Sequence, residues 1–216
     1  MIDLHTHTLF SDGDLIVSEL VRRAEVIGYR VLNISDHADG SNIDFLVPRV
    51  VKAARELNRF GKIRVIAGVE LTHCPLGQIP ELVKEARKLG AQIVLMHGET
   101  LSEPVIPGTD EAAIEAGVDI VAHPGLIDEK VAKLAAKKGV CLEISGRRGH
   151  CLANGHVAKV ARVAGARLVF GSDTHEPENL HRQSDAERVL RGAGLDAMEV
   201  AQVWKNAEWL VGRVKD

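Results

Sequence analysis

The sequence predicts an α/β fold in which short strands alternate with helices around a largely parallel sheet. Two observations carry this prediction: β-branched runs recur along all 216 residues, and a helical pattern followed by glycine separates most of them. Alternation of this kind is typical of strand–helix units whose strands run parallel. The apolar fraction of 45% is ample for one hydrophobic core.

Seven runs have the length and composition of buried strands. They are Ile2–His5, Val31–Asp36, Arg64–Glu70, Gln92–His97, Asp119–His123, Val140–Ser145 and Leu168–Asp173. The intervening helical patterns are Leu15–Ile27, Val47–Phe60, Ile79–Leu89, Asp110–Ala116, Glu129–Lys138 and His156–Val163, with further helix predicted from Arg182 to the C-terminus. Left-handed C-caps are expected at the glycines after these patterns, which are Gly28, Gly61, Gly90, Gly117, Gly139 and Gly165.

At the level of the whole chain, we expect one domain spanning residues 1–216, because no linker or low-complexity tract divides it. No charged and apolar leader precedes the first strand and no apolar run reaches membrane-spanning length, so we expect a cytoplasmic protein. Cys74, Cys141 and Cys151 lack CxxC spacing, which argues against a disulfide framework or a zinc ribbon. The net charge of −3 and the aromatic content of 3% do not indicate a nucleic-acid-binding stripe.

Histidine and carboxylate residues recur where the predicted strands end. His5 and His7 are two residues apart, so both imidazoles point to the same face of an extended strand terminus. Six of the seven strands carry such residues at the carboxyl end, where barrel and open α/β enzymes place their chemistry. A single histidine is more often a surface or core residue than a ligand, but structural histidines have no reason to choose this edge. The pattern therefore predicts a hydrolase that binds several divalent metal ions.

Seven short motifs, taken in order, resemble those of the PHP (polymerase and histidinol phosphatase) superfamily. They are His5-Thr6-His7, Ser11-Asp12-Gly13, Ser35-Asp36-His37, Gly68-Val69-Glu70, His97-Gly98, Ala122-His123-Pro124 and Gly171-Ser172-Asp173-Thr174-His175. The resemblance spans nearly the whole chain. It implies a particular α/β fold, the distorted (β/α)7 TIM-like barrel, with a centre of three divalent metal ions.

The resemblance also implies which residues hold each ion. The first ion would be held by His5, His7, Glu70 and Asp173, the second by Glu70, His97 and His123, and the third by Asp12, His37 and His175. Asp12 departs from relatives that carry histidine at this position. An oxygen-rich site favours manganese or iron, whereas an imidazole-rich site suits zinc, so all three metals stay open.

The activity that the resemblance implies is hydrolysis of a phosphomonoester, with a small phosphorylated molecule similar to histidinol phosphate as substrate. A hydroxide held between ions about 3.5 to 4 Å apart would attack phosphorus. Glu70 and Asp173 are the catalytic candidates, and Asp173 would orient the hydroxide or transfer a proton to the leaving alkoxide. A phosphodiesterase of the 3'-5' exonuclease type is the alternative. A metal-binding scaffold without catalysis is a further one, although none of the expected ligands is missing.

Four residues near the same edge each have two interpretations. Arg147 and Arg148, flanked by glycines after the sixth strand, either bind substrate phosphate or form a solvated turn. Glu143 either accepts a hydrogen bond behind a metal ligand or forms a structural ion pair. Glu99 either binds a substrate amine or lies on the surface.

The remaining polar candidates are predicted to lie outside the ligand set. His73 and His150 are expected close enough to the active edge to touch substrate, whereas His156 and His181 are expected to be exposed. Asp36 is predicted to orient neighbouring loops. The sequence does not indicate an oligomeric state.

Overall fold

In the computed structural model, which describes residues 1–214, parallel strands curve into a nearly closed barrel. The strands are β1 (Ile2–Asp3), β2 (Val31–Ile34), β3 (His37–Ala38), β4 (Arg64–Leu71), β5 (Ile93–His97), β6 (Ile120–Ala122), β7 (Cys141–Ser145) and β8 (Arg167–Gly171). The helices are α1 (Val17–Val26), α2 (Ile43–Phe60), α3 (Ile79–Leu89), α4 (Thr109–Ala116), α5 (Glu129–Lys138), α6 (Asn154–Ala164), α7 (Gln183–Gly192) and α8 (Ala197–Arg213). This architecture confirms the predicted (β/α)7 barrel.

The strand order around the barrel is β1-β2-β4-β5-β6-β7-β8, and every pairing is parallel. The segments that follow β1 and β8 close the ring, because the His7 amide donates to the Thr174 carbonyl at 2.8 Å and the Asp173 amide to the His5 carbonyl at 2.9 Å. β2 and β3 both pair with the long β4. The predicted continuous strand Val31–Asp36 is thus wrong, since the chain breaks at Ser35 and Asp36.

The helices agree with the predicted patterns except at two places. α2 begins at Ile43 instead of Val47 and contains Pro48. The helix predicted from Arg182 to the C-terminus is two helices, since the chain turns at Gly194 and Asp196 begins α8 by accepting from the Glu199 amide. Residues 215–216 of that prediction lie outside the described residues.

Five of the six glycines expected at helix ends have positive φ, and Gly61 does not. Gly61 is extended, with φ of −91°, and its amide donates to the Leu57 carbonyl at 2.7 Å. A Cβ at this position would lie 2.7 Å from the same carbonyl oxygen. The glycine is therefore required here by close approach of the backbone and not by left-handed geometry.

The barrel interior changes from apolar to polar along each strand. On β5, Ile93, Leu95 and His97 share one face because side chains alternate. The apolar part, which we call the barrel floor, consists of Ile2, Leu4, Val31, Ile66, Ile93, Leu95, Ile120, Ala122, Cys141 and Val169 together with Ala207, Leu210 and Val211 of α8. A second, larger core fills the space between the strands and the surrounding helices. Within residues 1–214, no helix has the length and apolarity to cross a membrane.

Candidate metal centre

The nine predicted ligand residues come together at the carboxyl end of the barrel, above the floor. His5 and His7 follow β1, His37 opens β3, and Glu70 lies near the end of β4. His97 ends β5, and His123 directly follows β6. Asp12 lies in the loop after β1, and both Asp173 and His175 follow β8. Apart from Asp12 and His37, all of these residues are buried.

Glu70 lies at the middle of the cluster, with five imidazoles around its carboxylate. Its Oε1 is 3.4 Å from His5 Nε2, 3.4 Å from His97 Nδ1 and 3.5 Å from His123 Nε2. Its Oε2 is 2.7 Å from His37 Nδ1 and 3.6 Å from His7 Nε2. The two oxygens therefore face different histidines, as expected of a carboxylate that bridges two ions.

Asp173 faces a part of the same cluster. Its Oδ1 is 3.4 Å from His7 Nε2, 3.7 Å from His5 Nε2 and 3.3 Å from His175 Nδ1, and its Oδ2 is 3.8 Å from His123 Nε2. Asp173 has a φ of +55° and His123 a φ of +31°, a backbone region that residues other than glycine rarely occupy. Strained backbone of this kind is concentrated at functional sites, where the surrounding structure holds it in place.

Asp12 forms the third part of the cluster. Its Oδ1 is 3.2 Å from His175 Nε2, 3.6 Å from His37 Nε2 and 4.0 Å from His7 Nδ1. Sets of ligand atoms close enough to share an ion are His7-Asp12-His37-His175, His5-His123-Asp173, His5-His7-Glu70 and His37-Glu70-His97. These sets contain all nine expected ligands but divide them differently from the expected grouping. His7 also joins the Asp12 set, His123 groups with His5 and Asp173, and His37 also groups with Glu70 and His97.

Many buried polar atoms of the cluster make no hydrogen bond among the described residues. They are Nε2 of His5, both ring nitrogens of His7, His97 and His123, and both carboxylate oxygens of Glu70. Buried polar atoms are normally hydrogen-bonded, and each one left alone costs about 1–3 kcal/mol. Imidazole nitrogens and carboxylate oxygens are ligands for zinc, manganese and iron. The residues present thus fit divalent metal ions.

Mutual charge effects dominate the ionisation of these groups. Burial alone would raise the pKa of Glu70, but His5, His37 and His123 lower it well below its usual range. Asp173 behaves in the same way, with its pKa lowered by His5, His7 and His123 against the effect of burial. Burial opposes the charged form of His5, yet Glu143, Glu70 and Asp173 raise its pKa well above the ordinary value. The two carboxylates are therefore ionised and available as ligands at neutral pH.

Residues behind the ligands orient them. Glu143 Oε2 lies 2.7 Å from His5 Nδ1, a contact that is compatible with both interpretations from the sequence, the hydrogen-bond acceptor and the ion pair. The close packing of β8 against this pair requires Gly171, because a Cβ there would be 2.4 Å from Glu143 Oε2. Asp36 accepts from the Thr8 amide at 2.6 Å and from the Thr8 hydroxyl at 2.8 Å. Asp36 thus orders the loop after β1, as predicted.

The arginines and Glu99 have different positions. Arg147 Nη1 donates to the Asp173 carbonyl at 3.2 Å and contacts His175 Nδ1, whereas Arg148 is exposed. Glu99 Oε1 accepts from the amides of Gly108 at 2.9 Å and Asp110 at 3.1 Å. The Glu99 carboxylate therefore binds backbone at the start of α4, and neither interpretation from the sequence describes this role.

The sequence analysis missed Glu103 and named His150 only as a residue close enough to touch substrate. Glu103, in the loop after β5, lies 3.1 Å from His97 Nε2 and 3.5 Å from His150 Nε2. His150 is buried and its ring stacks on His123 with centroids 4.1 Å apart. The sequence signal that could have identified Glu103 was its position on the loop after β5, a strand that ends in the candidate ligand His97.

His156 and His181 lie outside the ligand cluster, whereas His73 Nε2 is 3.2 Å from Glu103 Oε2 at its edge. The exposure predicted for His156 and His181 is wrong, since both are half-buried. His156 Nε2 lies 2.9 Å from the Ile127 carbonyl, and His181 Nδ1 lies 2.7 Å from the Asn179 carbonyl. The three cysteines, Cys74, Cys141 and Cys151, are free thiols.

The fold and this cluster define a class of protein: a parallel α/β barrel with imidazole and carboxylate groups able to bind divalent metal at its carboxyl edge. The PHP domain family profile matches residues 3–107. The chain is 31% identical to a probable phosphatase of Shewanella frigidimarina over 221 residues, covering 90% of this chain and 85% of that protein. The chain belongs to the PHP family, which confirms the resemblance seen in its motifs.

The chain is also similar to an uncharacterized protein and to a DNA polymerase/3'-5' exonuclease. It is 48% identical over 200 residues to an uncharacterized protein of Methanocaldococcus jannaschii, covering 92% of both chains. It is 26% identical to the DNA polymerase/3'-5' exonuclease of Bacillus subtilis, covering 82% of this chain and 35% of that protein. These relatives include both a named nuclease and a protein without an assigned activity.

Two solved structures have the same fold. A chain of an archaeal ribonuclease P with mature tRNA has a TM-score of 0.74 at 17% identity, covering 97% of this chain and 90% of that chain. The histidinol phosphate phosphatase of Lactococcus lactis, solved with zinc, L-histidinol and phosphate, has a TM-score of 0.62 at 16% identity, covering 90% of this chain and 94% of that chain.

Proposed function

We propose that this protein is a metal-dependent phosphoesterase that hydrolyses a phosphomonoester of a small molecule. The observation that carries the proposal is the buried set of unpaired imidazole and carboxylate atoms around Glu70. The similarity of this chain to probable phosphatases and to a phosphatase structure solved with zinc and phosphate supports the same activity. The substrate would be a small phosphorylated molecule of the histidinol phosphate kind.

The nine clustered residues would hold three divalent ions in the grouping expected from the motifs, with zinc, manganese and iron all compatible. When bound, the ions would supply Lewis-acid stabilisation of the phosphoryl oxygens and an activated water as nucleophile. Glu70 would hold two ligand sets at a fixed separation, because its two oxygens face different histidines. His7 is placed to serve either the first or the third set.

Asp173 would orient the attacking water or take part in proton transfer to the leaving group. Its carboxylate is ionised, buried and aimed at the same space as His5, His7 and His123. Arg147 is the better of the two arginines for substrate phosphate, because its guanidinium already reaches the Asp173 carbonyl at 3.2 Å. Arg148, being exposed, would contact only the outer part of a substrate.

Phosphodiester hydrolysis is the second candidate, and a named exonuclease among the relatives favours it. The same ligand cluster would serve either ester, since both reactions need charge stabilisation at phosphorus. A net charge of −3 favours the small substrate over nucleic acid. The presence of a suitable residue at all nine ligand positions disfavours a scaffold without catalysis.

The experiment is a parallel screen of phosphorylated metabolites and short oligonucleotides with added manganese, zinc or iron. We expect turnover of a phosphomonoester that chelation abolishes and metal restores. Degradation of oligonucleotides without phosphomonoesterase activity would favour the second candidate. Full activity in a preparation free of metal would refute both enzymatic proposals.

A further inference from the structure

The loop between β5 and α4 carries a carboxylate that contacts three imidazoles at the mouth of the site. Glu103 Oε2 lies 3.1 Å from His97 Nε2 and 3.2 Å from His73 Nε2, and Glu103 Oε1 lies 3.5 Å from His150 Nε2. The Glu103 side chain is 38% exposed, whereas the His97 side chain is 2% exposed. A carboxylate on a surface loop thus reaches a buried candidate ligand.

The two ring nitrogens of His97 face two different carboxylates. Nδ1 lies 3.4 Å from Glu70 Oε1 in the buried cluster. Nε2 lies 3.1 Å from Glu103 Oε2, within hydrogen-bonding distance, although the two groups are not aligned as a hydrogen bond in this structure. A neutral imidazole has one lone pair and one N–H, so only one of its nitrogens can bind a metal ion. Histidines that bind metal almost always donate their other N–H to a carboxylate, a carbonyl or water. Glu103 is therefore placed to determine which ring nitrogen of His97 carries the proton.

We propose that Glu103 is a positioning residue that accepts the Nε2 proton of His97 and so directs Nδ1 toward the ion shared with Glu70. This inference rests on the proposed function, because it assigns His97 to the metal centre. Glu103 does not itself contact the reacting atoms. Its effect is on the orientation of His97 and on the affinity of the ion that His97 helps to hold.

The cluster contains a second pair of the same kind, which supports the assignment. Glu143 Oε2 is 2.7 Å from His5 Nδ1, leaving His5 Nε2 to face Glu70 and Asp173. Glu143 is buried on a strand, whereas Glu103 is on a loop at the surface. The ion held through His97 should therefore depend on the position of that loop, and the ion held through His5 should not.

The same contacts permit a competing arrangement, in which His73, His97 and Glu103 are themselves a metal site. Their ligand atoms lie within 4.8 Å of one another. That site would require His97 to offer the lone pair of Nε2, and the proposed arrangement requires Nε2 to carry the proton. The two arrangements exclude each other for a neutral ring, which makes them distinguishable.

The test compares metal retention in the full-length wild type with that in four variants. Glu103→Ala removes the acceptor, Glu103→Gln keeps a weaker one, and His73→Ala breaks the competing site. Glu111→Gln is the control, on a carboxylate of α4 that pairs with Lys130. Each protein is loaded with zinc, dialysed against graded chelator and assayed for bound zinc. We expect one ion to be held about 10–100-fold more weakly in Glu103→Ala, less so in Glu103→Gln, and unchanged in the other two.

Nitrogen NMR of the zinc-loaded wild type provides the direct readout. We expect Nε2 of His97 to be protonated and Nδ1 to be bound to metal. Loss of the same ion in His73→Ala and Glu103→Ala, or zinc bound at Nε2, would overturn the proposal in favour of the competing site. Unchanged retention in Glu103→Ala would overturn it as well. Turnover is measured on the same samples, so a protein that retains zinc in the expected pattern but hydrolyses no phosphoester would refute only the proposed function.

Discussion

The barrel floor and the metal centre are built on the same strands, yet they are stabilised in opposite ways. On β4, Ile66 belongs to the floor and Glu70, four residues later on the same face, belongs to the centre. Leu210 and its neighbours on α8 complete the apolar packing of the floor. The centre leaves buried nitrogens and oxygens without hydrogen bonds among the described residues. The difference teaches that the floor supplies folding free energy, while the centre costs free energy until a ligand binds.

The largest expected effect comes from changing the centre without touching the floor. In Glu70→Gln the carboxylate that faces five imidazoles becomes a neutral amide. Since changing a residue behind a metal ligand already costs about 10–100-fold in affinity or activity, we expect turnover to fall by about 100-fold. Circular dichroism should show an unchanged barrel, and turnover with saturating metal measures the loss. Glu56→Gln, on the exposed face of α2, is the matched control. Equal turnover by Glu70→Gln and Glu56→Gln would show that Glu70 is not required for catalysis.

A floor substitution should produce the reverse result. Leu210 is 4% exposed and packs into the floor from α8. We expect Leu210→Ala to lower the free energy of unfolding by about 2–5 kcal/mol through lost burial and a cavity. Turnover per folded molecule should be unchanged, because the substitution lies at the opposite end of the strands. A large loss of kcat in the folded variant would show that the two regions are coupled.

Metal should stabilise the wild type more than the Glu70→Gln variant, because Glu70 belongs to two of the three proposed ligand sets. Binding to the folded state alone adds about 2.7 kcal/mol when free metal is 100 times its dissociation constant. For a protein of this size that corresponds to a rise in Tm of roughly 5–10 °C. Thermal unfolding with and without manganese or zinc measures the shift. An equal shift in both proteins would mean that the ion binds away from Glu70.

The difference between the two regions also explains how far sequence could predict them. Strand periodicity placed Glu70 and His97 at the carboxyl end of their strands, and alternation along β7 placed Glu143 where it meets His5. The break between β2 and β3 falls at Asp36, which accepts from the amide of Thr8, 28 residues earlier, and no local pattern contains this contact. Glu103 was missed because a loop residue has no periodic signal, although it lies six residues after the strand end at His97 that its carboxylate contacts.

The break between α7 and α8 was available in the sequence and was overlooked. Asp196 and Glu199 have the spacing of a capping box, and each side chain accepts from the other residue's amide, at 2.8 Å and 2.9 Å. Gly194, with φ of +87°, ends the preceding turn. The prediction of further helix from Arg182 onward did not use these two signals.

The smallest expected effect concerns the thiols, which probe the floor without altering it. Burial raises the pKa of Cys141, in the floor, to about 12, and burial together with Asp39 raises that of Cys74 to about 11. Since the thiolate is the reactive form, both should resist alkylation at pH 8 in the native protein, whereas Cys151, which is half-buried, should react. Mass spectrometry should then find one modified thiol before unfolding and three after it. Rapid modification of Cys141 in the native protein would contradict the closed floor, because it would require α8 to open away from the strands.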